Sequence, residues 1–447
     1  MGKYFGTDGF RGEVNVTLTA DDAYKVGRFL GAYVKKEKSH ARILLGKDTR
    51  RSSDMLESAL MAGVLASGTD IFRLGVITTP AVAFLVKHIH AALGVMISAS
   101  HNPFWDNGIK LIDACGEKEE VILPALEAYL DGEGEIPFAT GGDIGTMSDA
   151  FFMQKLYLDS LCFLEKGSCH RFSVGLDCAN GSAFRLARAA FEYLGASVHA
   201  IHIEPDGTNI NRDCGSTHPE ALCRLVKEKH LDVGFALDGD GDRCLAVDEN
   251  GEFVNGDQLL YVFARYMKKK GLLHGNTAVC TVMSGLGLSA SLRREGIAVT
   301  ETAVGDKYVW ERMKKEGFSL GGEQSGHIIL AHHATTGDGI LTAIFLMEIL
   351  LAERKTLSSL LSGFVAFPQV LQNVRVCNKT AALADQEVQA VYQREKMRLL
   401  PNGRLLLRAS GTEPVLRIMA EAQELSLCED CVRHVAEVVC HRFGVEG

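Results

Sequence analysis

The stretch RILLGKDTRRSSDMLESALMAGVLASGTDIFRLGV (42–76) contains the pattern of a strand, a helix and a second strand. An apolar run ends in charged residues from Lys47, a helical pattern follows through MLESALMAGVLASG, and Gly68 ends the helix before a second apolar run. Two strands joined by a helix form the building unit of α/β domains. This stretch therefore predicts an α/β fold.

The same strand–helix–strand pattern recurs twice further along the chain. It begins again at RFSVGLDCANG (171–181) and at NTAVCTVMSG (276–285). The recurrence predicts three similar α/β domains, followed by a smaller α+β unit that ends in a helix from about Leu427 to Phe443. Glycine-rich and loop-like segments near the junctions place the domains at 1–148, 149–250, 251–366 and 367–447.

Composition and charge exclude several classes of partner. Of the 447 residues, 47% are hydrophobic and 23% charged, which is typical of a globular protein with roughly three domains. A net charge of −9 argues against nucleic acid or an anionic membrane as the partner. No apolar run approaches the roughly 18–20 residues that span a bilayer, and MGKYFGTDGFRG at the start predicts no secretory signal.

The twelve cysteines are scattered, and Cys428 and Cys431 alone form a Cys-x-x-Cys pair. That pair lies in a helical pattern and has no second pair to complete a zinc site, so helix packing is favoured. Reduced thiols in a cytoplasmic protein are the simplest interpretation.

Three aspartates at alternate positions mark the loop in VGFALDGDGDRCLAVDENG (233–251). Apolar strands are predicted on both sides of the loop, at Val233–Leu237 and Cys244–Val247. The three carboxylates belong to Asp238, Asp240 and Asp242. Because like charges repel unless a hard cation with oxygen ligands binds between them, the loop predicts a magnesium site. A calcium EF-hand would need Gly where this chain has Arg243, and a solvated acidic turn is the other alternative.

A glycine-rich turn in LGGEQSGHII (320–329) carries three polar side chains between two strand-like runs. Glu323 and Ser325 are suited to neighbouring sugar hydroxyls, and His327 is a candidate acid or base near neutral pH. A polar hairpin turn without such a function is the alternative interpretation.

A second turn, in LLLRASGTEPVLRIMAE (405–421), combines hydroxyls, backbone amides and two guanidinium groups. Such a set forms a phosphate cradle, although Arg417 by itself also fits a surface ion pair. The candidate phosphate ligands are Arg408, Ser410, Gly411, Thr412 and Arg417.

Two shorter stretches add cations. GTDGFRGEV (6–14) carries Arg11 in a glycine-rich segment that also fits a plain turn. GKDTRRSS (46–53) places Lys47 and Arg50 at a strand-to-helix junction, where an anion would also interact with the helix N-terminus.

In GVMISASHNPFWDNGIK (94–110) an apolar strand ends in two hydroxyls, an imidazole and an amide. Ser100 is the candidate nucleophile, and Ser98 is expected to order the loop. His101 is not favoured as the base, because adjacent residues of an extended chain point apart. A metal site, a sugar turn, a phosphate cradle and a strand-end serine together predict phosphoryl transfer on a phosphosugar.

These loops, in this order, resemble those of the α-D-phosphohexomutase superfamily over essentially the full chain. The similar motifs are SASHNP (98–103), DGDGDR (238–243), GGEQSGH (321–327) and RASGTEPVLR (408–417). Four further accessory stretches resemble those of the bacterial members that act on glucosamine phosphates. The stretches are GTDGFRG (6–12), DGTNINRDCGSTHPE (206–220), VGDKYVWERM (304–313) and TTGDG (335–339).

The resemblance implies three related α/β domains with mixed sheets, plus a C-terminal domain similar to the TATA-box-binding-protein fold, around one cleft. It implies an isomerase that interconverts glucosamine 6-phosphate and glucosamine 1-phosphate for UDP-N-acetylglucosamine and cell-wall synthesis. Mg²⁺ is the implied cofactor, and glucosamine or glucose 1,6-bisphosphate the implied activator or intermediate. A homodimer without nucleic-acid or membrane partners is expected.

The resemblance also assigns roles to the residues. Ser100 is expected to be a phosphoserine that shares the magnesium with the three aspartates, while Arg243 offsets charge on the moving phosphoryl group. Arg11 and Lys110 are expected near Ser100. Lys110 is a general-base candidate if neighbouring cations depress its pKa, and His327 is the other candidate.

Three competing functions remain open from the sequence. The same fold would serve a mutase that prefers glucose or mannose phosphates. A phosphatase with a phosphoserine intermediate would hydrolyse the group instead of returning it. A phosphosugar-binding protein without activity is disfavoured by the intact Ser100 and the three aspartates.

Overall fold

The computed structural model describes residues 2–6, 8–37, 42–401, 403–410 and 414–445. The chain divides into two compact units, one of Met1–Met283 with Gly296–Ser362 and one of Ser284–Glu295 with Gly363–Gly447. No helix in this described part of the chain is long and apolar enough to cross a membrane.

The first α/β part has a mixed sheet. Its elements are β1 (Phe5–Gly6), β2 (Gly9–Glu13), α1 (Ala20–Glu37), β3 (Arg42–Lys47), α2 (Arg51–Ala66), β4 (Asp70–Val76), α3 (Thr79–His88), β5 (Leu93–Ile97), β6 (Asp106–Ile112), α4 (Leu123–Leu130) and β7 (Met147–Asp149). The strands pair in the order β1-β2-β6-β5-β3-β4-β7. β3 is parallel to β4 and β5, whereas β6 is antiparallel to both β5 and β2. β5 is buried along its whole length, which explains its continuous apolar run.

The second α/β part follows the same plan. Its elements are α5 (Gln154–Leu161), β8 (Ser173–Asp177), α6 (Phe184–Tyr193), β9 (Ser197–Ile201), α7 (Glu220–Lys229), β10 (Val233–Leu237), β11 (Cys244–Val247) and β12 (Phe253–Val254). The strands pair in the order β12-β11-β10-β8-β9, with β9, β8 and β10 parallel and β11 antiparallel to β10.

The third α/β part has a smaller mixed sheet. Its elements are α8 (Gly256–Lys269), β13 (Thr277–Thr281), α9 (Leu286–Arg294), β14 (Ala298–Thr302), α10 (Asp306–Glu316), β15 (Leu320–Gly322), β16 (Ile328–Leu330), α11 (Gly339–Glu353) and α12 (Leu357–Leu360). The strands pair in the order β14-β13-β15-β16. Although α9 lies between β13 and β14 in the chain, it belongs to the C-terminal compact unit.

The C-terminal part is an antiparallel sheet with helices. Its elements are β17 (Gln369–Arg375), α13 (Lys379–Ala384), α14 (Gln386–Leu399), β18 (Arg404–Ala409), β19 (Val415–Glu421) and α15 (Leu425–Phe443). The strands pair in the order β17-β19-β18. Cys428 and Cys431 lie on the buried face of α15 with Val432 and Val435, which is helix packing as predicted.

The fold class predicted from sequence is confirmed. Each of the three strand–helix–strand patterns forms a pair of parallel strands, β3 with β4, β8 with β9 and β13 with β14. The domain limits at 148, 250 and 366 stay a prediction, because the compact units do not test them.

Helix α11 supports the sites described below. It is apolar on all sides and buried from Gly339 to Leu350 except at Glu348, because it packs against β10, β11 and β16 at once. A helix enclosed in this way offers a rigid N-terminus on which loops can rest.

Candidate active site

Strand register in the first sheet gathers the residues predicted near the reacting serine. β5 pairs with β6 so that Met96 lies opposite Lys110. On the other side of β6, β2 places Arg11 opposite Gly108. Ser100 lies in the connection from β5 to β6. Lys110 and Arg11, which are about ten and ninety positions from Ser100 in sequence, therefore lie on neighbouring strands close to the Ser100 loop.

The three aspartates predicted to bind the metal lie in the loop between β10 and β11, and both strands have the predicted limits. The loop rests on the N-terminus of α11, where the Gly339 N–H donates to the carbonyl of Gly241 at 3.0 Å. All three carboxylates are buried, and their oxygens lie within 4.8 Å of one another. The structure thus forms the acidic triad that the sequence predicted.

Ser100 contacts this triad directly. Its Oγ donates to Asp238 Oδ2 at 2.6 Å, and the side chain is buried. The backbone of Ser100 has a φ of +52°, the left-handed region that non-glycine residues rarely adopt. The two loops touch at Gly239, where a Cβ atom would lie 2.5 Å from the Ser100 carbonyl oxygen. Glycine is required there for the close approach.

The triad suits a divalent cation. Burial and the charges of Asp242 and Asp240 raise the pKa of Asp238 well above its usual range. Asp240 Oδ1 and Asp242 Oδ1 are buried and accept no hydrogen bond from any described residue. Buried carboxylate oxygens without partners are costly unless a cation binds them, and an all-oxygen set suits Mg²⁺.

Lys110 occupies the inner side of the triad. Its Nζ donates to Asp240 Oδ2 at 2.7 Å and lies 3.5 Å from Asp242 Oδ2 and 3.6 Å from Asp8 Oδ1. Burial by itself lowers the pKa of Lys110, but these carboxylates raise it well above its usual value. The condition set for Lys110 as a base, a pKa depressed by neighbouring cations, is not met in this arrangement.

His327 lies between two carboxylates. Its Nδ1 is 3.8 Å from Asp242 Oδ2, and its Nε2 is 3.5 Å from Asp306 Oδ2. Although burial lowers the pKa of His327, Asp306 and Asp242 raise it to about 9. The Gly337 N–H donates to Nε2 at 2.9 Å, and only an unprotonated Nε2 can accept this hydrogen bond. The hydrogen bond therefore opposes the rise in the pKa of His327. His327 thus has carboxylates that favour its protonated form and an amide that favours its neutral form.

The two predicted arginines have different partners. Arg11 pairs through Nη2 with the Asp8 carboxylate and donates from Nε to the Asp8 carbonyl at 3.2 Å. The backbone N–H of Arg243 donates to Asp238 Oδ1 at 3.2 Å, and its Nε lies 3.9 Å from Asp242 Oδ1. Arg243 thus belongs to the triad loop itself.

The predicted sugar turn is a β-hairpin turn between β15 and β16. The Glu323 N–H donates to the His327 carbonyl, and the Gly326 N–H donates to the Glu323 carbonyl, both at 3.0 Å. Glu323 Oε1 accepts from the Gly305 N–H at 3.0 Å, which fixes the carboxylate. Ser325 is half-buried in the same turn.

The predicted phosphate residues lie in the C-terminal unit. Arg408 and Arg417 are directly opposite in the β18–β19 pair. Ser410 is buried, and its N–H donates to the Val415 carbonyl at 2.9 Å. The other two predicted residues, Gly411 and Thr412, lie outside the described residues.

The structure also corrects the reasoning about His101. Its Nδ1 lies 3.4 Å from Ser100 Oγ, because the left-handed backbone at Ser100 is not extended. Burial, with Arg243 and Arg11 nearby, lowers the pKa of His101 to about 4. His101 is therefore a neutral neighbour of the serine hydroxyl.

Sequence reasoning did not identify a partly exposed ion network beside Lys110. Lys118 Nζ donates to Asp8 Oδ1 at 3.0 Å and to Asp306 Oδ1 at 2.7 Å. Asp8 and Asp306 lie in two of the accessory stretches quoted above, which was the available signal. Nothing in the local pattern around Lys118 indicates its role, because its partners are distant in sequence.

The strand-to-helix junction after β3 is also different from the expectation. Lys47 pairs with Asp54 and Glu57, both at 2.5 Å. The Arg50 side chain is fully buried and donates to the carbonyls of the Ser100 loop, so it is not open to an anion. Its function in the fold is to position that loop.

Comparison with known proteins agrees with this fold. Models of the phosphoglucomutase/phosphomannomutase family match the chain throughout, with alpha/beta/alpha domain I at residues 2–127, domain II at 154–251, domain III at 255–367 and the C-terminal domain at 371–438. Among solved structures, a family protein from Burkholderia thailandensis covers 99% of each chain with a TM-score of 0.81 at 23% identity, which supports the fold alone.

The chain therefore belongs to the phosphoglucomutase/phosphomannomutase family, a class of phosphohexomutases. Phosphoglucosamine mutase from Lachnospira eligens is 53% identical over 443 residues, and that from Lachnoclostridium phytofermentans is 50% identical over 441 residues. Each alignment covers 98% of this chain and 98% of the relative. The resemblance to the glucosamine branch of the superfamily is thereby confirmed.

Proposed function

We propose that this protein interconverts glucosamine 6-phosphate and glucosamine 1-phosphate through a phosphorylated Ser100 and a bound 1,6-bisphosphate. The observation that carries the proposal is the 2.6 Å contact of Ser100 Oγ with Asp238 inside a buried acidic triad. The choice of glucosamine is supported by the full-length phosphoglucosamine mutases described above.

Ser100 acts as the phosphoryl carrier in this proposal. In the first half-reaction the Ser100 Oγ–phosphorus bond breaks, and a bond forms from phosphorus to a free sugar hydroxyl, whose proton passes to a base. In the second half-reaction the other sugar oxygen–phosphorus bond breaks, the phosphorus bonds to Ser100 Oγ again, and the sugar oxygen takes up a proton. Asp238, Asp240 and Asp242 would hold Mg²⁺, which supplies positive charge near the moving phosphoryl group when it is bound. The 1,6-bisphosphate then reorients and returns its other phosphate to Ser100.

Cationic side chains around Ser100 stabilise the phosphoryl oxygens. Arg243 lies in the triad loop, and Lys110 is held as an ammonium by its carboxylate neighbours. Arg11 lies on the adjacent strand. Their positive charges oppose the negative charge that the transferring group brings into a buried acidic site.

Two residues remain candidates for proton transfer. His327 has one nitrogen facing Asp242 and the other facing Asp306, and these carboxylates raise its pKa to about 9, so it must lose a proton before it can act as a base. Lys110 can lose a proton only after another positive charge neutralises the nearby carboxylates that raise its pKa. This favours His327 as the base in the unphosphorylated arrangement and keeps Lys110 as the alternative.

Recognition of the rest of the substrate is assigned to two turns. Glu323 and Ser325 are proposed to bind the sugar hydroxyls. The phosphate that is not reacting is proposed to bind Arg408, Ser410, Gly411, Thr412 and Arg417. The opposed arginines of β18 and β19 support this role.

The remaining expectations stay proposals. We place four domains at 1–148, 149–250, 251–366 and 367–447. A cytoplasmic location is supported by the twelve free thiols and the net charge of −9. A homodimer without nucleic-acid partners is proposed, and light scattering on the purified protein tests its mass.

Mass spectrometry combined with an activity assay tests the carrier. The intact protein is expected to lose the mass of one phosphoryl group on phosphatase treatment. In Ser100→Ala that mass and the mutase activity should both be absent, whereas the matched Ser98→Ala should still carry the phosphate. A phosphorylated Ser100→Ala protein with full activity would refute the proposal.

A substrate comparison tests the sugar. Glucosamine, glucose and mannose 6-phosphates are assayed with the matching 1,6-bisphosphate activators. The fastest turnover is expected for glucosamine 6-phosphate, and a preference for glucose or mannose phosphate would assign the alternative mutase. Release of free phosphate at the rate of isomerisation would instead indicate a phosphatase.

A further inference from the structure

A second cluster of metal-ligating side chains lies in the second α/β part, apart from the acidic triad. Asp177 is the last residue of β8, and His202 follows the parallel strand β9 directly. Cys214 lies in the loop between β9 and α7. Parallel strand ends bring the first two residues together, and the loop adds the third.

The donor atoms of the three side chains converge. One ligand atom from each residue lies within 4.8 Å of the ligand atoms of the other two. Asp177 Oδ2 and His202 Nδ1 are 2.9 Å apart without the alignment of a regular hydrogen bond, and neither atom has another hydrogen-bond partner among the described residues. Asp177 raises the pKa of His202, so the two side chains form an ion pair when the imidazole is protonated. A divalent cation that displaces the imidazole proton would bind between the same two atoms, with the Cys214 sulfur as the third donor.

Burial makes this arrangement costly unless a positive charge, from a protonated His202 or from a bound cation, compensates the carboxylate. Asp177 and Cys214 are fully buried, and the other oxygen of Asp177 is already bonded to the Ala179 N–H at 2.9 Å. A buried carboxylate oxygen without a hydrogen bond requires compensation. The His202 side chain is 29% exposed and leaves a path for an ion and for one further ligand from solvent.

The types of the donor atoms select the class of cation. Thiolate and imidazole nitrogen with one carboxylate oxygen favour a borderline ion such as Zn²⁺, whereas Mg²⁺ prefers the all-oxygen triad. Tetrahedral zinc ligands lie about 3.3–3.6 Å from one another, given bond lengths of about 2.0–2.3 Å. The three side chains therefore need only small shifts to bind.

We propose that Asp177, His202 and Cys214 form a binding site for a zinc-like divalent cation with one position open to solvent. On binding, the Cys214 S–H bond breaks and a protonated His202 loses its Nδ1 proton; the protons leave to solvent, and the thiolate and the neutral imidazole bind the ion with no change in oxidation state. Burial and the Asp177 carboxylate raise the pKa of the Cys214 thiol to about 12, so the thiol is protonated until the ion arrives.

The site is connected to the Ser100 loop through a short stretch of chain. Asn211, three residues before Cys214, donates from Nδ2 to the Ser100 carbonyl at 2.8 Å and to the Asn102 carbonyl at 3.1 Å. A cation that fixes Cys214 therefore also restrains the residue that supports the reacting loop. This gives the site a route to influence the mutase reaction without contact with the substrate.

Cobalt titration of the full-length protein tests the site, because Co²⁺ bound to a thiolate has a charge-transfer absorption that oxygen ligands do not produce. With excess Mg²⁺ present to occupy the triad, we expect one equivalent of Co²⁺ with this band, displaced by Zn²⁺. The band should be lost in Cys214→Ser and kept in Cys178→Ser, a buried thiol next to Asp177.

A second variant guards against misfolding of Cys214→Ser. His202→Asn changes a partly exposed side chain and should also abolish the band, while its circular dichroism stays that of the wild type. Absence of the band in the wild-type protein, or its survival in either His202→Asn or Cys214→Ser, would overturn the proposal.

Discussion

At the scale of single residues, the reacting loop depends on a buried ion pair. The Arg50 guanidinium pairs with Asp48, and both side chains are fully buried. Arg50 Nη2 also donates to the carbonyls of Ser100 and Asn102, at 3.2 and 2.5 Å. Asp48 in turn accepts from Ser98 Oγ at 2.6 Å. Ser98 therefore orders the loop, as the sequence suggested, and Arg50 holds the backbone of Ser100.

Substitution Arg50→Met should destabilise the protein strongly. It leaves the Asp48 carboxylate buried without its cation, a loss expected to cost about 3–5 kcal/mol of unfolding free energy. Urea denaturation measures it. The matched Arg51→Met removes an exposed neighbour and should change stability by less than about 0.5 kcal/mol. Equal effects of the two substitutions would contradict the role assigned to the buried pair.

At the scale of elements, loops from separate sheets meet where glycines allow it. Gly239 is the point at which the triad loop touches the Ser100 loop. Gly339, at the start of α11, lies equally close to the same loop, since a Cβ there would be 2.4 Å from the Arg243 carbonyl oxygen. Both contacts depend on the absence of a side chain.

Substitution Gly239→Ala should separate Ser100 from Asp238 while the fold persists. The added methyl group must displace the Ser100 carbonyl or Asn211 Nδ2, at 2.5 and 2.8 Å. A misplacement of about 1 Å costs about 100-fold in kcat, so a loss of that size is expected in steady-state assays. Gly142→Ala, which has open space around it, is the control and should keep full activity. A fully active Gly239→Ala would refute the requirement for close approach.

The N-terminal cap of α11 predicts a pH dependence. Asp338 accepts from the Leu341 N–H and from the Tyr157 hydroxyl, and burial raises its pKa from 3.8 to about 6. Between these values the folded protein holds a proton that the unfolded chain has lost, so stability from this group falls as pH rises through about 4 to 6. The full loss, above the folded pKa, is about 3 kcal/mol.

Comparison with Asp338→Asn isolates this term, because asparagine also caps helices but does not titrate. The unfolding free energy of wild type minus variant should decrease with rising pH across that window. For Asp385→Asn, at the cap of α14, the difference should stay level across that window and decrease only as pH falls below about 3.8, because the side-chain hydrogen bond from Arg442 lowers the pKa of Asp385. A flat difference for Asp338→Asn would contradict the raised pKa.

At the scale of the whole molecule, the acidic triad belongs to one compact unit only. Asp238, Asp240 and Asp242 lie within Met1–Met283, whereas β17 to β19 belong to the other unit. A ligand of the triad stabilises the unit that binds it by mass action.

Hydrogen exchange should therefore show a unit-specific effect of Mg²⁺. At 100 times its dissociation constant, Mg²⁺ contributes about 2.7 kcal/mol, or about 100-fold slower exchange of the most protected amides in the first unit. The C-terminal sheet should be unaffected. Asp240→Asn should abolish the effect, and the exposed control Glu133→Gln should keep it. Equal protection of both units would contradict binding at the triad.

The sequence by itself determined the elements and the motif loops of this protein. The limits of β10 and β11 could be predicted because an apolar run between polar residues depends only on neighbours along the chain. The grouping of three aspartates could be predicted because they lie at alternate positions of one short loop, and the repulsion of their like charges indicated a cation between them. Local pattern is sufficient for such features.

Tertiary structure decided the contacts between distant segments. Strand pairing and loop packing alone bring together the residues of three features. These are the Lys118 network, the buried Arg50–Asp48 pair and the cluster of Asp177, His202 and Cys214. The left-handed Ser100, which turns His101 toward its hydroxyl, and the raised pKa of Lys110 have the same origin. The backbone conformation of Ser100 and the charges around Lys110 depend on residues from other elements, and the spacing of residues in the sequence does not indicate these partners.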